Sequence, residues 1–192
     1  MDSVEAYEVH AQTFLQKRDG SLVGSRVVEQ WTRTLPAGAA VMELACGGGQ
    51  PITRVLSEAG LRLWAVDSSP TLVAAFQSRF PSIPVQCERV QDTDFFGRMY
   101  DAVVAIGLIF LLDEADQAAL ISRIGHIVVP GGRFLFTAPT QVHEWTDVNT
   151  GAACLSLGQA RYEELLGEAG FRVRATFVDK GENNHYDAEK AS

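Results

Sequence analysis

The chain has 192 residues, of which 46% are hydrophobic and 21% charged, a composition that excludes a disordered protein and suffices for one domain with a sizeable core. Its formal net charge is −8, and no run of basic residues offsets that charge, so nucleic acid is a disfavoured partner. The three cysteines are widely spaced and lack metal-ligand spacing, which disfavours both a disulfide framework and a metal site.

Targeting signals are missing from the sequence as given. Residues 1–10 are acidic and lack the basic start and apolar stretch of a signal peptide. The longest apolar run, residues 102–112, is shorter than the about 20 residues that a membrane-spanning helix needs. We therefore expect a cytoplasmic protein with no membrane partner, and the sequence leaves its oligomeric state open.

Two amphipathic segments precede the first apolar run. Residues 5–17 and 25–35 carry apolar side chains at helical spacing, which predicts a helix in each. No repeat or linker separates them from the rest of the chain. We expect a single domain over residues 1–192, with 1–36 as a helical cap on a core formed by 37–192. The cap either covers an edge of the core or acts as a lid.

Short apolar runs alternate with amphipathic segments along the rest of the chain, which predicts an α/β fold. The predicted strands are residues 40–44, 61–66, 85–88, 100–106 and 133–137. The predicted helices between them are residues 52–60, 70–80 and 114–127, the last closed by a Pro-Gly-Gly turn at 130–132. After a long loop, a helix at 159–169 leads to a hairpin that pairs 171–178 with 184–190.

A glycine cluster joins the first predicted strand to the next helix. Residues 43–49 read ELACGGG, and glycines there let backbone N–H groups approach a ligand closely. The spacing does not fit the dinucleotide pattern G-x-G-x-x-G, because the sixth position from Gly47 is Ile52. No phosphate loop of the form G-x-x-x-x-G-K-[ST] occurs either.

The segment resembles the first motif of the class I S-adenosylmethionine-dependent methyltransferases, E/D-x-G-x-G-x-G, with Ala45 in place of the first glycine. The resemblance extends over residues 41–190 through Asp67 after the second strand, YDAVV at 100–104 and VPGGR at 129–133. It implies a doubly wound, seven-stranded, mostly parallel sheet of order 3-2-1-4-5-7-6, with the last strand antiparallel and helices on both faces.

The same resemblance implies S-adenosylmethionine as cofactor and a small-molecule methyl acceptor, with direct in-line transfer and no metal. It places Gly47 and Gly49 beside the methionine part and Asp67 on the ribose hydroxyls. Glu43 either orients the loop or receives the cofactor's ammonium group through water. The other predicted cofactor-binding residues are Ala45, Ser68, Val90, Gln91 and Ile106.

The resemblance defines the residues that contact the adenine base less sharply than the other cofactor-binding residues. The family often places an acidic or polar residue after the third strand, against the adenine amino group. Val90 offers backbone and apolar contact, and Gln91 or Asp92 accepts from the amino group, with Glu88 as another candidate. A solvated loop is the alternative for all four residues.

The acceptor side lacks two motifs that methyltransferases acting on nucleic-acid bases carry, Asn/Asp-Pro-Pro-Tyr/Phe and Pro-Cys. A small-molecule acceptor is therefore favoured. If the acceptor must lose a proton, His143 is the predicted general base, since it follows the fifth strand near Trp145; an exposed loop histidine is the alternative. Tyr7 and His10, which share a helical face, are predicted to bind the acceptor with Trp145, and ordinary packing is their alternative.

Two other functions stay open. A protein that binds S-adenosylmethionine without transferring its methyl group, as a sensor or an assembly subunit, is compatible with the motifs because they contain no obligatory catalytic residue. A nicotinamide-dependent oxidoreductase is weakened by the glycine spacing. An open cavity lined by Ile106, His143 and Trp145 would favour an enzyme over binding alone.

Overall fold

A seven-stranded sheet forms the core of the computed structural model, which describes residues 3–192. Its strands are β1 (Ala40–Leu44), β2 (Arg62–Asp67), β3 (Val85–Cys87), β4 (Tyr100–Ala105), β5 (Val128–Thr137), β8 (Phe171–Val178) and β9 (Asn184–Lys190). The strand order is β3-β2-β1-β4-β5-β9-β8, and β9 runs antiparallel to both of its neighbours. The predicted order, with the terminal hairpin as strands six and seven, is confirmed.

The centre of this sheet is buried on both faces. All five residues of β1 are buried, as are the last four of β4, which is why both strands read as continuous apolar runs rather than alternating ones. The helices are α1 (Ser3–Val9), α2 (Ala11–Asp19), α3 (Ser25–Thr32), α4 (Ile52–Glu58), α5 (Pro70–Arg79), α6 (Glu114–Ile127) and α7 (Gln159–Glu168). None of the helices within residues 3–192 is long and apolar enough to span a membrane.

Helix starts follow their local signals. The Ser69 hydroxyl accepts a hydrogen bond from the Leu72 N–H at 3.1 Å, and Pro70 occupies the first turn of α5. Asp113 caps α6 in the same way through the Asp116 N–H at 2.8 Å. Both helices therefore begin where the sequence predicts.

The N-terminal region differs from the single predicted helix over 5–17. It forms two helices, α1 and α2, that meet at His10. Tertiary contacts account for the break, since Glu8 binds the first turn of α5 while Asp19 forms an ion pair with Arg79 in its last turn. The segment bends so that both ends reach α5.

Residues 130–132 do not form the predicted turn between a helix and a strand. Helix α6 runs directly into β5, and the pairing with β4 shifts from Tyr100↔Val128 to Ala102↔Arg133. A Cβ at Gly132 would lie 2.8 Å from the Asp101 carbonyl oxygen, so the glycine permits a close approach of the two strands. The Pro-Gly-Gly segment is a bulge inside β5.

The predicted long loop after β5 contains a second, two-stranded sheet. Strands β6 (Val142–Thr146) and β7 (Ala153–Leu157) pair as an antiparallel hairpin. The sequence does not predict this hairpin because β6 buries none of its residues fully and so has no alternation of apolar and polar residues. It stands at the carboxyl edge of the main sheet.

Candidate functional site

A cavity of about 510 Å³ opens at the carboxyl edge of the main sheet. Its floor comes from the segments that follow β1, β2, β3, β4 and β5, and its cover from α1, α2 and the β6–β7 hairpin. It includes the point between β1 and β4 where the strand order reverses, which is the usual ligand position in doubly wound sheets.

Most of the predicted site residues line this cavity. They are Glu43, Ala45, Gly47, Asp67, Ser68, Val90, Gln91, Ile106, Tyr7 and Trp145. Three do not: Gly49, His10 and His143 are absent from the wall. The alternative adenine contacts, Glu88 and Asp92, are exposed and also lie outside it.

Asp67 ties the end of β2 to the glycine loop. One carboxylate oxygen accepts a hydrogen bond from the Gly47 N–H at 2.8 Å, and the other accepts from the Ser69 N–H at 3.0 Å. Burial raises the pKa of this carboxyl group, while those backbone donors lower it. Since a carboxylate offers about four acceptor positions, two loop contacts leave capacity for a ligand's hydroxyl groups.

The glycines of the loop have separate tasks. Gly47 lines the cavity with φ of +55°, and a Cβ there would lie 3.2 Å from the Phe14 ring. Gly49 faces away, because a Cβ would lie only 2.3 Å from the Phe80 ring of the segment that ends α5. The absence of a side chain at Gly49 permits close packing of the loop against Phe80, and its place beside the ligand stays a prediction. Ala45 itself has φ of 54°, a conformation that glycine adopts more easily.

Glu43 and Arg18 place an acidic and a basic group on the wall of the cavity. The Glu43 carboxyl is 4% exposed and accepts a hydrogen bond from the Thr53 hydroxyl at 2.6 Å, and burial raises its pKa to about 8. Burial lowers the pKa of the Arg18 guanidinium, and nearby Tyr7, Glu43 and Asp179 oppose that shift. The hydrogen bonds found within residues 3–192 include none from the Arg18 guanidinium, which leaves its donors for a ligand.

Aromatic side chains line the cavity in two places. The rings of Tyr7 and Phe14 meet edge to face at 5.4 Å, and those of Phe110 and Trp145 lie 5.3 Å apart. Phe110 was missed in the sequence because it follows β4 in a short apolar turn that reads as core. Such walls suit a flat or apolar ligand held by a few polar groups.

Two hydrogen bonds join the N-terminal helices to the hairpin above the cavity. The Tyr7 hydroxyl donates to Asp147 at 3.1 Å, and Lys17 Nζ donates to Asn149 at 2.7 Å. Asp147 also accepts from the Thr150 hydroxyl and the Asn149 N–H, and these hydrogen bonds lower the pKa of Asp147 against the effect of burial. No sequence signal indicates these two hydrogen bonds, since the partners of each lie more than 130 positions apart.

Neither predicted histidine reaches the cavity wall. The ring of His143 is exposed on β6 and stacks on Trp145 at 5.7 Å. His10 lies at the junction of α1 and α2. The roles of both residues stay predictions from the sequence.

Comparison with known proteins finds methyltransferases. The sequence model of a methyltransferase domain matches residues 41–132, and a probable S-adenosylmethionine-dependent methyltransferase of Mycolicibacterium smegmatis is 27% identical over 143 residues, 73% of this chain. The chain is therefore similar in sequence to S-adenosylmethionine-dependent methyltransferases. It spans about half the length of that relative, 54%.

Solved methyltransferases share the fold. The 1,6-didemethyltoxoflavin-N1-methyltransferase of Burkholderia thailandensis superposes with a TM-score of 0.77 at 17% identity, covering 99% of this chain and 88% of its own. The magnesium protoporphyrin IX methyltransferase of Synechocystis PCC 6803, solved with bound S-adenosylmethionine, gives 0.69 at 16% identity, covering 100% and 85%. The predicted fold class is confirmed, and the match to a methyltransferase domain agrees with the predicted family.

Proposed function

We propose that the chain binds S-adenosylmethionine in the 510 Å³ cavity and transfers its methyl group to a small-molecule acceptor. The observation that carries the proposal is the shape of this cavity. Its wall combines the glycine loop and two buried carboxyl groups with an aromatic patch that includes Phe110 and Trp145. A protein that only bound the cofactor would not need such an aromatic patch beside it.

The residues around the glycine loop fit the cofactor group by group. Asp67 accepts hydrogen bonds from the ribose hydroxyls through its remaining acceptor positions. Arg18 binds the carboxylate of the methionine part, and Glu43 faces its ammonium group. Ala45, Gly47 and Ser68 line the cavity with little side-chain bulk, while Val90, Gln91 and Ile106 border the base and the sulfonium region.

The aromatic patch holds the acceptor against the reactive carbon. When bound, S-adenosylmethionine supplies an electrophilic methyl group on a positively charged sulfur. Tyr7 and Trp145 orient the acceptor so that its lone pair lies in line with the sulfur–methyl bond, and the cover of α1, α2 and the hairpin excludes water. Orientation and desolvation supply much of the rate in such a transfer. His143 stays a sequence prediction as general base, and its exposed position favours transfer without a dedicated base.

A small organic acceptor is supported by the surroundings of the site. Two of the solved relatives are methyltransferases named for 1,6-didemethyltoxoflavin and magnesium protoporphyrin IX. The net charge of −8 opposes a nucleic-acid partner. The three cysteines are free thiols in the fold, which supports a reducing cytoplasm.

Calorimetric titration tests the proposal. The purified protein is titrated with S-adenosylmethionine, S-adenosylhomocysteine and NADH. We expect micromolar binding of both adenosyl ligands and none of NADH, followed by formation of S-adenosylhomocysteine when an acceptor library is added. Binding without turnover in the presence of every acceptor class would support the binding-only function, and NADH binding alone would support an oxidoreductase.

A further inference from the structure

The amide side chain of Gln91 stands between two cavities. It lines the main cavity and also a neighbouring one, whose wall includes Asp116 of α6. Gln91 Nε2 donates a hydrogen bond to Asp116 Oδ2 at 2.9 Å, and Asp116 is absent from the wall of the main cavity. The amide nitrogen is therefore turned toward the neighbouring cavity.

This contact fixes which amide atom is left for a ligand. An ionised carboxylate only accepts hydrogen bonds, whereas an amide has a donor nitrogen and an acceptor oxygen. Facing Asp116, Gln91 must present Nε2 and keep Oε1 for another partner. Within residues 3–192 no donor binds Oε1, so the amide offers an acceptor and not a donor.

A second residue of α6 holds the backbone of the same segment. The Arg123 guanidinium donates to the carbonyl oxygens of Val90 at 2.7 Å and Gln91 at 2.8 Å, and also to that of Thr93. It stacks over the Phe95 ring at 4.5 Å. Phe95 and the next two residues have positive φ, a conformation that non-glycine residues hold only when their surroundings fix it. Helix α6 thus fixes both the backbone and the side chain at Gln91.

We propose that Asp116 is a positioning residue that sets the base specificity of the cofactor site. This role rests on the proposed function: Gln91 Oε1, held as an acceptor, favours a purine that carries an amino group at its exposed edge. Adenine supplies that N–H donor. A base with a carbonyl oxygen in the same place would bring two acceptors together and lose affinity.

Two ligands that differ only at this position test the inference. S-adenosylhomocysteine and S-inosylhomocysteine are titrated into the wild-type protein and the Asp116→Asn variant. We expect the wild type to favour the adenosyl ligand about tenfold or more, since one lost hydrogen bond and one unpaired acceptor cost that much. An asparagine donates as well as accepts, so the Gln91 amide is free to reverse and the preference falls to within about threefold.

Control variants separate specificity from stability. Glu114→Gln removes the same charge from the first turn of α6 at an exposed position and leaves the preference unchanged, and Asp116→Glu, which keeps an acceptor-only group, retains it. In a Gln91→Leu background the Asp116→Asn change has no further effect on the ratio. That absence of coupling is expected only if Asp116 acts through Gln91.

The outcomes distinguish this inference from the proposed function. If the wild-type protein binds S-adenosylhomocysteine but accepts the inosyl ligand equally well, or if Asp116→Asn leaves the ratio unchanged, the role of Asp116 is refuted while the proposed function stands. If the folded wild-type protein binds neither ligand, the proposed function itself fails.

Discussion

Asp67 performs two tasks with one side chain because it ends β2 at the carboxyl edge of the sheet. Its oxygens hold the Gly47 and Ser69 N–H groups, and its remaining acceptor positions face the cavity. Both hydrogen-bonded backbone groups belong to segments that border the ligand. A single carboxylate thereby couples the shape of the glycine loop to cofactor binding.

Replacing Asp67 tests this residue directly. We expect Asp67→Ala to weaken S-adenosylhomocysteine binding by about 1–3 kcal/mol, because charge-assisted hydrogen bonds to the ribose and the loop anchor are lost together. Calorimetric titration measures the change. Glu58→Ala, which removes an exposed carboxylate from α4, is the control and keeps the wild-type affinity. An unchanged affinity in Asp67→Ala would remove this residue from the cofactor site.

At the scale of elements, the cavity lies between two covers that are held in different ways. Helices α1 and α2 are fixed to α5 by Glu8, which accepts from Thr71 Oγ1 at 2.6 Å, and by the two-oxygen contact of Asp19 with Arg79. Contacts between the hairpin and the same helices include the hydrogen bonds Tyr7–Asp147 and Lys17–Asn149. These two hydrogen bonds help to hold the cover over the cavity.

Removal of the Tyr7 hydroxyl should loosen this cover. In Tyr7→Phe we expect hydrogen exchange in residues 147–152 to become about tenfold faster, because a hydrogen bond to a charged group contributes about 1.5–3 kcal/mol. Exchange measured by mass spectrometry reports the change. The control is Tyr100→Phe, which removes a hydroxyl that donates to the Phe95 carbonyl at 2.8 Å. We expect this variant to leave hydrogen exchange in the hairpin unchanged. Equal exchange in Tyr7→Phe and wild type would show that the Tyr7–Asp147 hydrogen bond does not hold the cover.

At the scale of the whole molecule, the candidate site lowers the stability of the fold. The sheet buries two carboxyl groups, Glu43 and Asp67, at its carboxyl edge, and burial raises the pKa of both. A raised pKa means that the carboxyl group keeps its proton in the folded state over a pH range in which the same group has lost it in the unfolded chain. Stability contributed by the protonated form is therefore lost as the pH rises.

The pH dependence of unfolding measures this cost. For Glu43 the affected window runs from the ordinary value of 4.5 to about 8, and stability should fall there by up to about 1.4 kcal/mol per pH unit. The Glu43→Gln variant has no carboxyl group to ionise at this position. Its free energy of unfolding, measured in urea titrations, should therefore increase relative to that of the wild type as the pH rises across this window. Glu58→Gln on exposed α4 provides the matched control. Parallel curves for Glu43→Gln and wild type would contradict the raised pKa.

From the sequence alone, the strands of the main sheet and most of the helices were predictable, whereas the β6–β7 hairpin and the break between α1 and α2 were not. Apolar runs marked β1 and β4, Ser69 and Asp113 marked the starts of α5 and α6, and the glycine cluster with Asp67 marked the ligand edge. These signals are local, because the spacing of side chains and the capping of a helix depend on residues a few positions apart. The resemblance to one family then supplied the strand order.

Only the tertiary structure decided which side chains meet. Arg18 lies near Glu43, and the Tyr7 hydroxyl donates to Asp147. The Gln91 amide donates to Asp116. The ring of His143 stacks on Trp145 outside the cavity wall. Each of these outcomes depends on contacts between segments far apart in the chain, and on the bends and bulges that closure of the fold imposes. The spacing of residues along the sequence does not indicate such contacts, since they follow from the packing of whole elements at the carboxyl edge of the sheet.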